Sequence, residues 1–504
     1  MKVNRLANKK LDLNCLTEII SLLYIYIPCI LFFFSWIHIW ISIPISMFFI
    51  IAIIKFEHSV NSNTQIELSM SFFMCLIIAF IAVGIWCITS GIGGYVSQSS
   101  DFVKHNLILK DLIDSPWPVY YQVNDYNGVL CYYIGEYLLP AVVGKYFGFN
   151  AASDFMLIWC TLGLVLTILL LYKEFGEIDG HWKPVIMLII VACLFLFSTF
   201  IVPISGIYRI WFPQDLGDGL HWLSNSVLIQ YSSNITLLRW VFPQFVPTTV
   251  VIALLLRFYR KYDFWLFISS PLILYSAFTF LGCIMLMALL FIVNIVRKQG
   301  GIISIKSIFS IYNITGGIVA LISLIYISGN ILQKKPDSAG MGIEFIDYSN
   351  DFCLLIMFHI TWILWVIIIL YKDNKNSFVL AVSICLLSFP FVKMGLYNDL
   401  CMRTSIPALL CLCYLIIKNL TGALFVQKER NGFYVLVIIL FLVGTGIGSA
   451  YELYSAIQAT VPFSRNYEWG EYKNALEFFN SAEYTFFQYV DWNKNDVCHL
   501  IIKN

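Results

Sequence analysis

The feature that most constrains this chain is a series of apolar runs, each about 20 residues long, that recurs from residue 16 to residue 451. A helix of that length crosses the roughly 30 Å hydrocarbon core of a bilayer. Of 504 residues, 60% are hydrophobic and only 12% charged, against roughly 25% charged in soluble domains. The sequence therefore predicts an integral, all-α, polytopic membrane protein. A net charge of +1 without a basic face excludes a nucleic-acid partner.

The apolar runs predict a bundle of about 13 transmembrane helices. The expected spans are 17–36, 37–55, 69–90, 154–172, 184–204, 243–258, 263–278, 279–296, 308–330, 352–371, 376–392, 403–418 and 433–451. The short run 263–278 indicates a kinked or half-depth helix. Two segments, 129–147 and 220–242, are ambiguous between spans and re-entrant pieces, and counting both as spans preserves the parity.

The distribution of Lys and Arg predicts the orientation. Segments 257–261, 297–306 and 418–430 are basic, as is the N-terminus, whereas acidic residues concentrate in the alternate segments. By the positive-inside rule the N-terminus is cytoplasmic and the C-terminus outside. The apolar stretch 16–54 is too long for a cleaved signal peptide and is expected to stay as an anchor. We expect a transmembrane domain over 1–451 and a small, partly helical outer tail over 452–504.

The cysteines predict neither a metal site nor a disulfide framework. Most of the 14 lie in apolar runs, where cysteine behaves as a small hydrophobic residue. No Cys/His cluster has the spacing of a zinc site.

The first large outer loop, 91–130, begins with Gly91, Gly93 and Gly94, which allow an irregular exit from the membrane. From Asp101 onward, apolar and charged residues alternate with the period of an amphipathic helix, and Ser115 to Pro118 end it. We expect this helix to lie flat at the membrane interface. On it, Asp111 and Asp114 are expected to be solvated.

Asp101 is the candidate catalytic residue of this loop. A carboxylate at the outer rim can deprotonate an acceptor hydroxyl while a lipid-linked donor lies in the membrane beside it. The alternative is that Asp101 only caps the helix that follows.

A second constellation is Asn398, Asp399 and Arg403, at the outer mouth of a span. The planar guanidinium of Arg403 suits bidentate binding of a phosphate. The alternative is an internal ion pair of Arg403 with Asp399, four residues earlier on the same helix.

A third stretch, 217–247, combines polar and aromatic residues in the way that sugar binding requires, and its candidate substrate contacts are His221, Trp222 and Arg239. The alternative is a wet, partly buried loop between helices. Glu136 is a further candidate, because a carboxylate among apolar residues is expected to face a cavity.

These segments resemble the GT-C superfamily of membrane glycosyltransferases, which includes the bacterial aminoarabinose and the eukaryotic protein-mannosyl transferases. The likeness rests on an outer-loop Asp after a glycine-rich exit, an amphipathic helix, and an aromatic-Pro segment. It covers mainly residues 90–150, and the chain departs from the family by placing three spans before the loop.

The resemblance implies Asp101 as base, Arg403 and Lys104 as donor-phosphate ligands, and His105 among the substrate contacts. No cofactor is expected. A divalent metal is compatible with the family, but the chain shows no clear DxD or ExD motif.

The expected function is inverting glycosyl transfer at the outer face of a bacterial inner membrane, in surface-polysaccharide or envelope glycoconjugate synthesis. The donor would be a polyprenyl-phosphate sugar, and the acceptor a glycan, lipid or protein. Two alternatives remain: a surface-polysaccharide polymerase or ligase, and a transporter or flippase of lipid-linked sugars. A polymerase usually has its active loop late in the chain, and a transporter more often shows inverted repeats.

Overall fold

The computed structural model describes residues 16–59, 70–123, 126–175, 182–297, 305–331, 343–373, 376–394, 398–461, 464–475, 477–478, 490–491 and 500–503. The basic N-terminal segment 1–13, most of the basic loop 297–306, and much of the tail beyond 478 lie outside these residues. The orientation therefore stays a prediction from charge.

Helices dominate the described residues. They are α1 (Leu16–Trp36), α2 (Ile39–Ser59), α3 (Met70–Thr89), α4 (Phe102–Asp114), α5 (Gly135–Phe147), α6 (Phe149–Lys173), α7 (Lys183–Leu196), α8 (Ile201–Trp211), α9 (Asn234–Arg257), α10 (Trp265–Ser269), α11 (Leu272–Tyr275), α12 (Ala277–Val296), α13 (Ile305–Ile308), α14 (Ile311–Ile331), α15 (Phe352–Lys372), α16 (Ser377–Ser388), α17 (Asp399–Phe425) and α18 (Gly432–Gln458). The polytopic all-helical class is confirmed.

The described chain has 11 helices, one of them α7 and α8 taken together, that are long and apolar enough to cross a membrane. This is fewer than the predicted number. Segment 263–278 does not form a continuous span: Pro271 starts the four-residue α11, and the backbone of Ser276 is extended before α12 begins. Segment 376–392 contains only the 12-residue α16 and a short 3-10 turn.

Neither of the two ambiguous segments, 129–147 and 220–242, forms a membrane span of its own. Residues 126–130 form a strand, and the 13-residue α5 follows it. Residues 220–233 are irregular, and α9 begins at Asn234, where the hydroxyl of Ser233 accepts the amide of Thr236 as an N-cap.

The strands of the described residues form two small sheets. Strands β1 (Tyr120–Val123) and β2 (Tyr126–Leu130) pair antiparallel, and β5 (Val490–Asp491) from the tail adds to β2. Strand β3 (Ile343–Phe345) pairs antiparallel with β4 (Val392–Met394).

The centre of the bundle is built from α9 and α17, whose apolar stretches are almost completely buried. α12 packs closely on α17 at Gly282, where an added Cβ would lie 2.2 Å from the carbonyl oxygen of Thr404. This contact needs a glycine, because any side chain would push the two backbones apart. It fixes the start of α17, where Arg403 lies.

α4 forms where the sequence predicts it, but its polar side is covered by protein. Asn106 donates to the carbonyl of Glu468, and the ammonium of Lys110 donates to that of Lys473. The expectation of a solvated Asp111 is wrong: its carboxylate is buried and accepts from the hydroxyl of Tyr121 and the amide of Ala475.

The described tail residues lie against the segment 91–130 and the start of α6. Residues 464–473 contain no helix. The amide of Asn466 donates to Gly94, and Arg465 forms a 2.8 Å ion pair with Asp154 at the start of α6. α18 itself continues to Gln458. The described part of the tail thus covers α4, and it includes helical positions at residues 475, 477 and 478.

Candidate functional site

Asp101 follows an irregular turn that depends on glycine. Gly91 has φ +97°, a conformation that side chains rarely adopt, and its carbonyl accepts a hydrogen bond from the side-chain amide of Gln98. Gln98 in turn accepts from Asn106 on α4. The glycine-rich exit therefore connects directly to the helix that carries Asp101.

The side chain of Asp101 is 37% exposed, and its carboxylate lies 3.7 Å from the ammonium of Lys104. Asp101 occupies the N-cap position of α4, but its side chain makes no capping hydrogen bond. The alternative that Asp101 serves only as a helix cap is therefore not supported by the geometry.

The charges around Asp101 set its protonation. Burial acts to raise the pKa of Asp101, but the positive charge of Lys104, with further contributions from His105 and Arg403, outweighs it and lowers the pKa below its usual value. Asp101 is ionised at neutral pH. Arg403 lies close enough for its charge to act on this carboxylate, although it comes from the opposite half of the chain.

Arg403 lies on the first turns of α17, and its side chain is 9% exposed. One guanidinium nitrogen lies 3.2 Å from Asp399, so the predicted ion pair is present. Phe278 lies 5.9 Å from the guanidinium carbon. Among the described residues, the Nε of Arg403 has no hydrogen-bond partner, so the ion pair leaves donor capacity unused.

Asn398 caps α17 and lies beside this arginine. It adopts φ +52°, and its side-chain oxygen accepts the amide of Cys401. Its Nδ2 is buried and finds no partner among the described residues. The start of α17 thus holds two unpartnered buried N–H groups, and both require an acceptor such as an oxyanion oxygen.

Sequence reasoning missed Tyr132 and Tyr133, which lie close enough to Arg403 to interact with its charge. Tyr133 also lies near Asp399. Both tyrosines fall in segment 129–147, which the sequence left ambiguous between a span and a re-entrant piece. The short connection between β2 and α5 brings them to the site.

His105 is held by protein groups. Its Nε2 lies 3.1 Å from the carbonyl of Trp240, and its Nδ1 lies 2.5 Å from the hydroxyl of Tyr137. Burial, followed by the charge of Lys104, lowers the pKa of His105 to about 3. Both ring nitrogens are thus occupied by internal bonds, which leaves no free nitrogen for a substrate.

Arg239 links the Asp101 loop to α18. It donates to the carbonyl of Ser97 over 3.0 Å, and it lies near the charge of Glu452. Glu452, which the sequence analysis missed, accepts from the hydroxyl of Thr236 and the indole of Trp240. It lies in the last two turns of α18, and its partners come from α9, so the local sequence of α18 does not indicate them.

The stretch with His221 and Trp222 is a structured loop. Asp218 accepts the backbone amides of residues 220, 221 and 222, and its carboxylate lies 3.8 Å from His221. The ring of His221 lies 5.9 Å from that of Trp240. The loop therefore lies beside Trp240, whose indole donates to Glu452.

Glu136 belongs to a different place. It is fully buried on α5 and accepts from the hydroxyl of Tyr24 and the thiol of Cys160. Its second oxygen has no partner among the described residues. Glu136 thus joins α1, α5 and α6 and is not part of the Asp101 cluster.

The cluster that remains consists of Asp101, Lys104, Asp399 and Arg403, with Asn398 and the two tyrosines around it. It offers two half-exposed carboxylates beside buried hydrogen-bond donors, an arrangement that can bind an anion and accept a proton next to it. Across the described part of the chain, no group of three or more His, Cys, Asp and Glu side chains is placed to hold a metal ion. No protein-family model, curated protein or solved structure matches the chain.

Proposed function

We propose that the protein is a membrane glycosyltransferase that moves a sugar from a polyprenyl-phosphate donor to an acceptor hydroxyl at the outer membrane face. The observation that carries the proposal is the half-exposed carboxylate of Asp101, on which the charge of Arg403 from α17 acts, together with the buried Nε of Arg403, which has no partner among the described residues. A transferase of this kind needs a base for the acceptor and a cation for the leaving phosphate in one place.

In this reaction the acceptor oxygen attacks the anomeric carbon, and the bond from that carbon to the phosphate oxygen breaks. The electron pair of the broken bond stays on the phosphate, and the acceptor proton passes to Asp101. The carboxylate is ionised and partly open to solvent, so it can take this proton. Attack opposite to the leaving group inverts the anomeric configuration.

The donor phosphate would take the unused N–H of Arg403 and that of Asn398. Lys104 contributes a second positive charge at the same place. The two carboxylates balance these two cations, so an incoming phosphate competes with Asp101 and Asp399 for them. Arg suits this task because its planar fork binds two phosphate oxygens at once.

The proposal also requires Asp101 to face the outside. Cysteine introduced at the exposed Ser464 is expected to react with a membrane-impermeant thiol reagent in intact cells, whereas cysteine at the exposed Arg260 is expected to react only after permeabilisation. The reverse pattern would overturn both the orientation and the function.

The decisive experiment measures binding to the purified protein in lipid nanodiscs. A long-chain polyprenyl phosphate is expected to bind and raise the thermal stability, whereas the matching polyprenol, which lacks the phosphate, is not. Replacement of Arg403 by Gln should abolish this difference, and replacement of the exposed Arg209 by Gln should preserve it. Equal binding of phosphate and alcohol by the unaltered protein would refute a phosphate site.

A further inference from the structure

α9 is interrupted beside the Asp101 loop. Val241 has φ −136° and ψ 36°, outside the helical region, and Pro243 follows inside the same helix. Proline has no backbone N–H, so Pro243 cannot donate to the carbonyl four residues earlier, which is that of Arg239. The interruption therefore leaves α9 with backbone acceptors that another segment can use.

Two side chains that flank Asp101 use acceptors at this interruption. The hydroxyl of Ser99 donates to the carbonyl of Arg239 over 3.1 Å, and Nε2 of His105 lies 3.1 Å from the carbonyl of Trp240. One lies before Asp101 and the other after it. Arg239 returns a bond to the carbonyl of Ser97. The loop is thus tied to α9 on both sides of the carboxylate.

The tautomer of His105 follows from its partners. A carbonyl oxygen only accepts, so Nε2 carries the proton, and Nδ1 accepts from the hydroxyl of Tyr137. Burial and the nearby Lys104 keep the imidazole neutral. A histidine bonded in this way connects α4, α5 and α9 and has no proton to exchange with a substrate.

We propose that Ser99 and His105 are positioning residues that hold Asp101 in place by binding the carbonyls at the Pro243 interruption of α9. This inference rests on the proposed function for its catalytic consequence, but the anchoring itself does not. It assigns the proline a specific task, because restoring an N–H at position 243 would let Arg239 bond within its own helix and compete with Ser99.

The first test measures backbone amide exchange over residues 97–106 by mass spectrometry. His105→Phe, Ser99→Ala and Pro243→Ala are each expected to speed exchange of this segment by about tenfold or more, since each removes a tie that resists local opening. Matched controls are the neighbouring exposed Ser100→Ala and the other proline of α9, Pro247→Ala. His105→Gln, whose amide can still donate to Trp240, should exchange slowly.

The second test measures turnover with a polyprenyl-phosphate sugar. Because a displacement of about 1 Å can cost roughly 100-fold in rate, His105→Phe should lower kcat by about that factor and leave the donor KM near its original value. His105→Gln should recover most of the kcat. A Gln variant that keeps slow exchange and yet loses as much turnover as Phe would show that the imidazole itself takes part, and the positioning role would be wrong.

The two readouts separate the two proposals. If these variants exchange faster but the unaltered protein transfers no sugar, the anchoring of the loop to α9 is supported and the glycosyltransferase function is refuted. Unchanged exchange in both Ser99→Ala and Pro243→Ala would refute the anchoring by Ser99 and His105, whatever the role of Asp101. Should His105→Phe fail to fold, these two variants still decide the question.

Discussion

Two clusters in this molecule each contain two carboxylates and two cations, but they differ in how closely these charges are paired and how deeply they are buried. In the first, the ammonium of Lys173 lies 2.6 Å from Glu18, and Arg257 reaches Glu18 over 3.3 Å and Glu174 over 3.1 Å. The side chains of Glu18 and Lys173 are both fully enclosed. This cluster joins the first turn of α1 to the last turns of α6 and α9.

The second cluster, at the start of α4 and α17, is looser. Its ion pairs measure 3.7 Å for Asp101 with Lys104 and 3.2 Å for Asp399 with Arg403. Here the cations are buried, with side chains 10% and 9% exposed, and the carboxylates are 37% and 42% exposed. The Nε of Arg403 has no partner among the described residues.

The difference distinguishes a structural tie from a binding site. A buried ion pair with both charges closely matched holds elements together, and removing one partner leaves an isolated charge at high cost. In the second cluster the cations are buried and the carboxylates are partly exposed, so the cations are neither fully solvated nor fully paired. An incoming anion can improve that balance, and this is why the second cluster, and not the first, is the candidate site.

The largest effect is expected from Asp101→Asn. Loss of a general base typically costs about 10²–10⁴-fold in rate, and Asn keeps the size of Asp101 and an acceptor oxygen beside Lys104 while it removes the charge of a half-exposed side chain. Turnover with a polyprenyl-phosphate sugar should fall by that factor, while thermal stability and polyprenyl-phosphate binding stay close to those of the unaltered protein.

The matched control for this variant is Asp114→Asn, an exposed carboxylate at the other end of the same helix. It should keep full turnover. If Asp101→Asn keeps near-normal turnover too, Asp101 is not the base and the contrast between the clusters loses its functional meaning.

The next largest effect is expected in the first cluster, from Lys173→Met. This change leaves the fully enclosed Glu18 with only the longer, 3.3 Å contact to Arg257 among its described ion pairs, and breaking a buried pair costs up to about 3–5 kcal/mol of stability. Adding Glu18→Gln removes the poorly paired charge and should recover a large part of the loss. Thermal unfolding of the single and double variants measures both; a single variant as stable as the parent would show that the network is not a structural tie.

The two clusters also differ in how far the sequence predicts them. Asp399 and Arg403 are four apart on one helix, so their pairing follows from helical periodicity alone. Glu18 and Lys173 stand at separate span ends, where a lone charge normally extends toward water, and only the packing of α1 on α6 brings them together. The same reason hides Tyr132 and Tyr133 from a sequence-based search, because it is tertiary packing that places them near Arg403.

A further misprediction has an identifiable cause. The spacing of Asp111 on α4 is that of a solvent-facing residue, and the helix itself is confirmed. Its partner Ala475 lies in the tail, and nothing in the local pattern indicates that the tail returns to cover α4. Local patterning thus predicts which residues share a face, and not what covers that face.

Asp111 lies on the same helix as Asp101 but is buried without a paired cation among the described residues, so it shows the effect of burial on a carboxylate. Burial raises the pKa of Asp111 to about 6, and the bonds from Tyr121 and Ala475 oppose this only in part. An unfolded Asp has a pKa of roughly 3.9, so the folded chain binds more protons between these values. The contribution of Asp111 to the free energy of unfolding is therefore fully present below a pH of about 4. It is lost as the pH rises through about 6, by at most about 3 kcal/mol.

The variant Asp111→Asn isolates this effect. Its amide oxygen can still accept from Tyr121 and Ala475, and it has no charge to bury. Thermal unfolding should show the variant and the parent equally stable at pH 4, with the variant increasingly more stable toward pH 7. A constant difference across this range would mean that Asp111 does not titrate with folding.

The smallest effect is expected from Arg403→Lys, which keeps the charge and removes the planar fork. Lysine is a point charge, so the variant should lose one charge-assisted hydrogen bond to the donor phosphate, worth about 1.5–3 kcal/mol. This corresponds to roughly 10- to 150-fold weaker binding of polyprenyl phosphate. Titration in nanodiscs, compared with the polyprenol, measures it.

The variant Asp399→Asn distinguishes the two possible roles of Arg403, the ion pair with Asp399 and the binding of phosphate. If the arginine serves mainly the ion pair with Asp399, both variants should lower thermal stability by similar amounts, and Arg403→Lys should bind polyprenyl phosphate normally. If it serves the phosphate, Asp399→Asn should bind at least as tightly as the parent, because the carboxylate no longer competes for the guanidinium. Reduced stability together with normal phosphate binding in Arg403→Lys would make the second cluster a structural tie like the first.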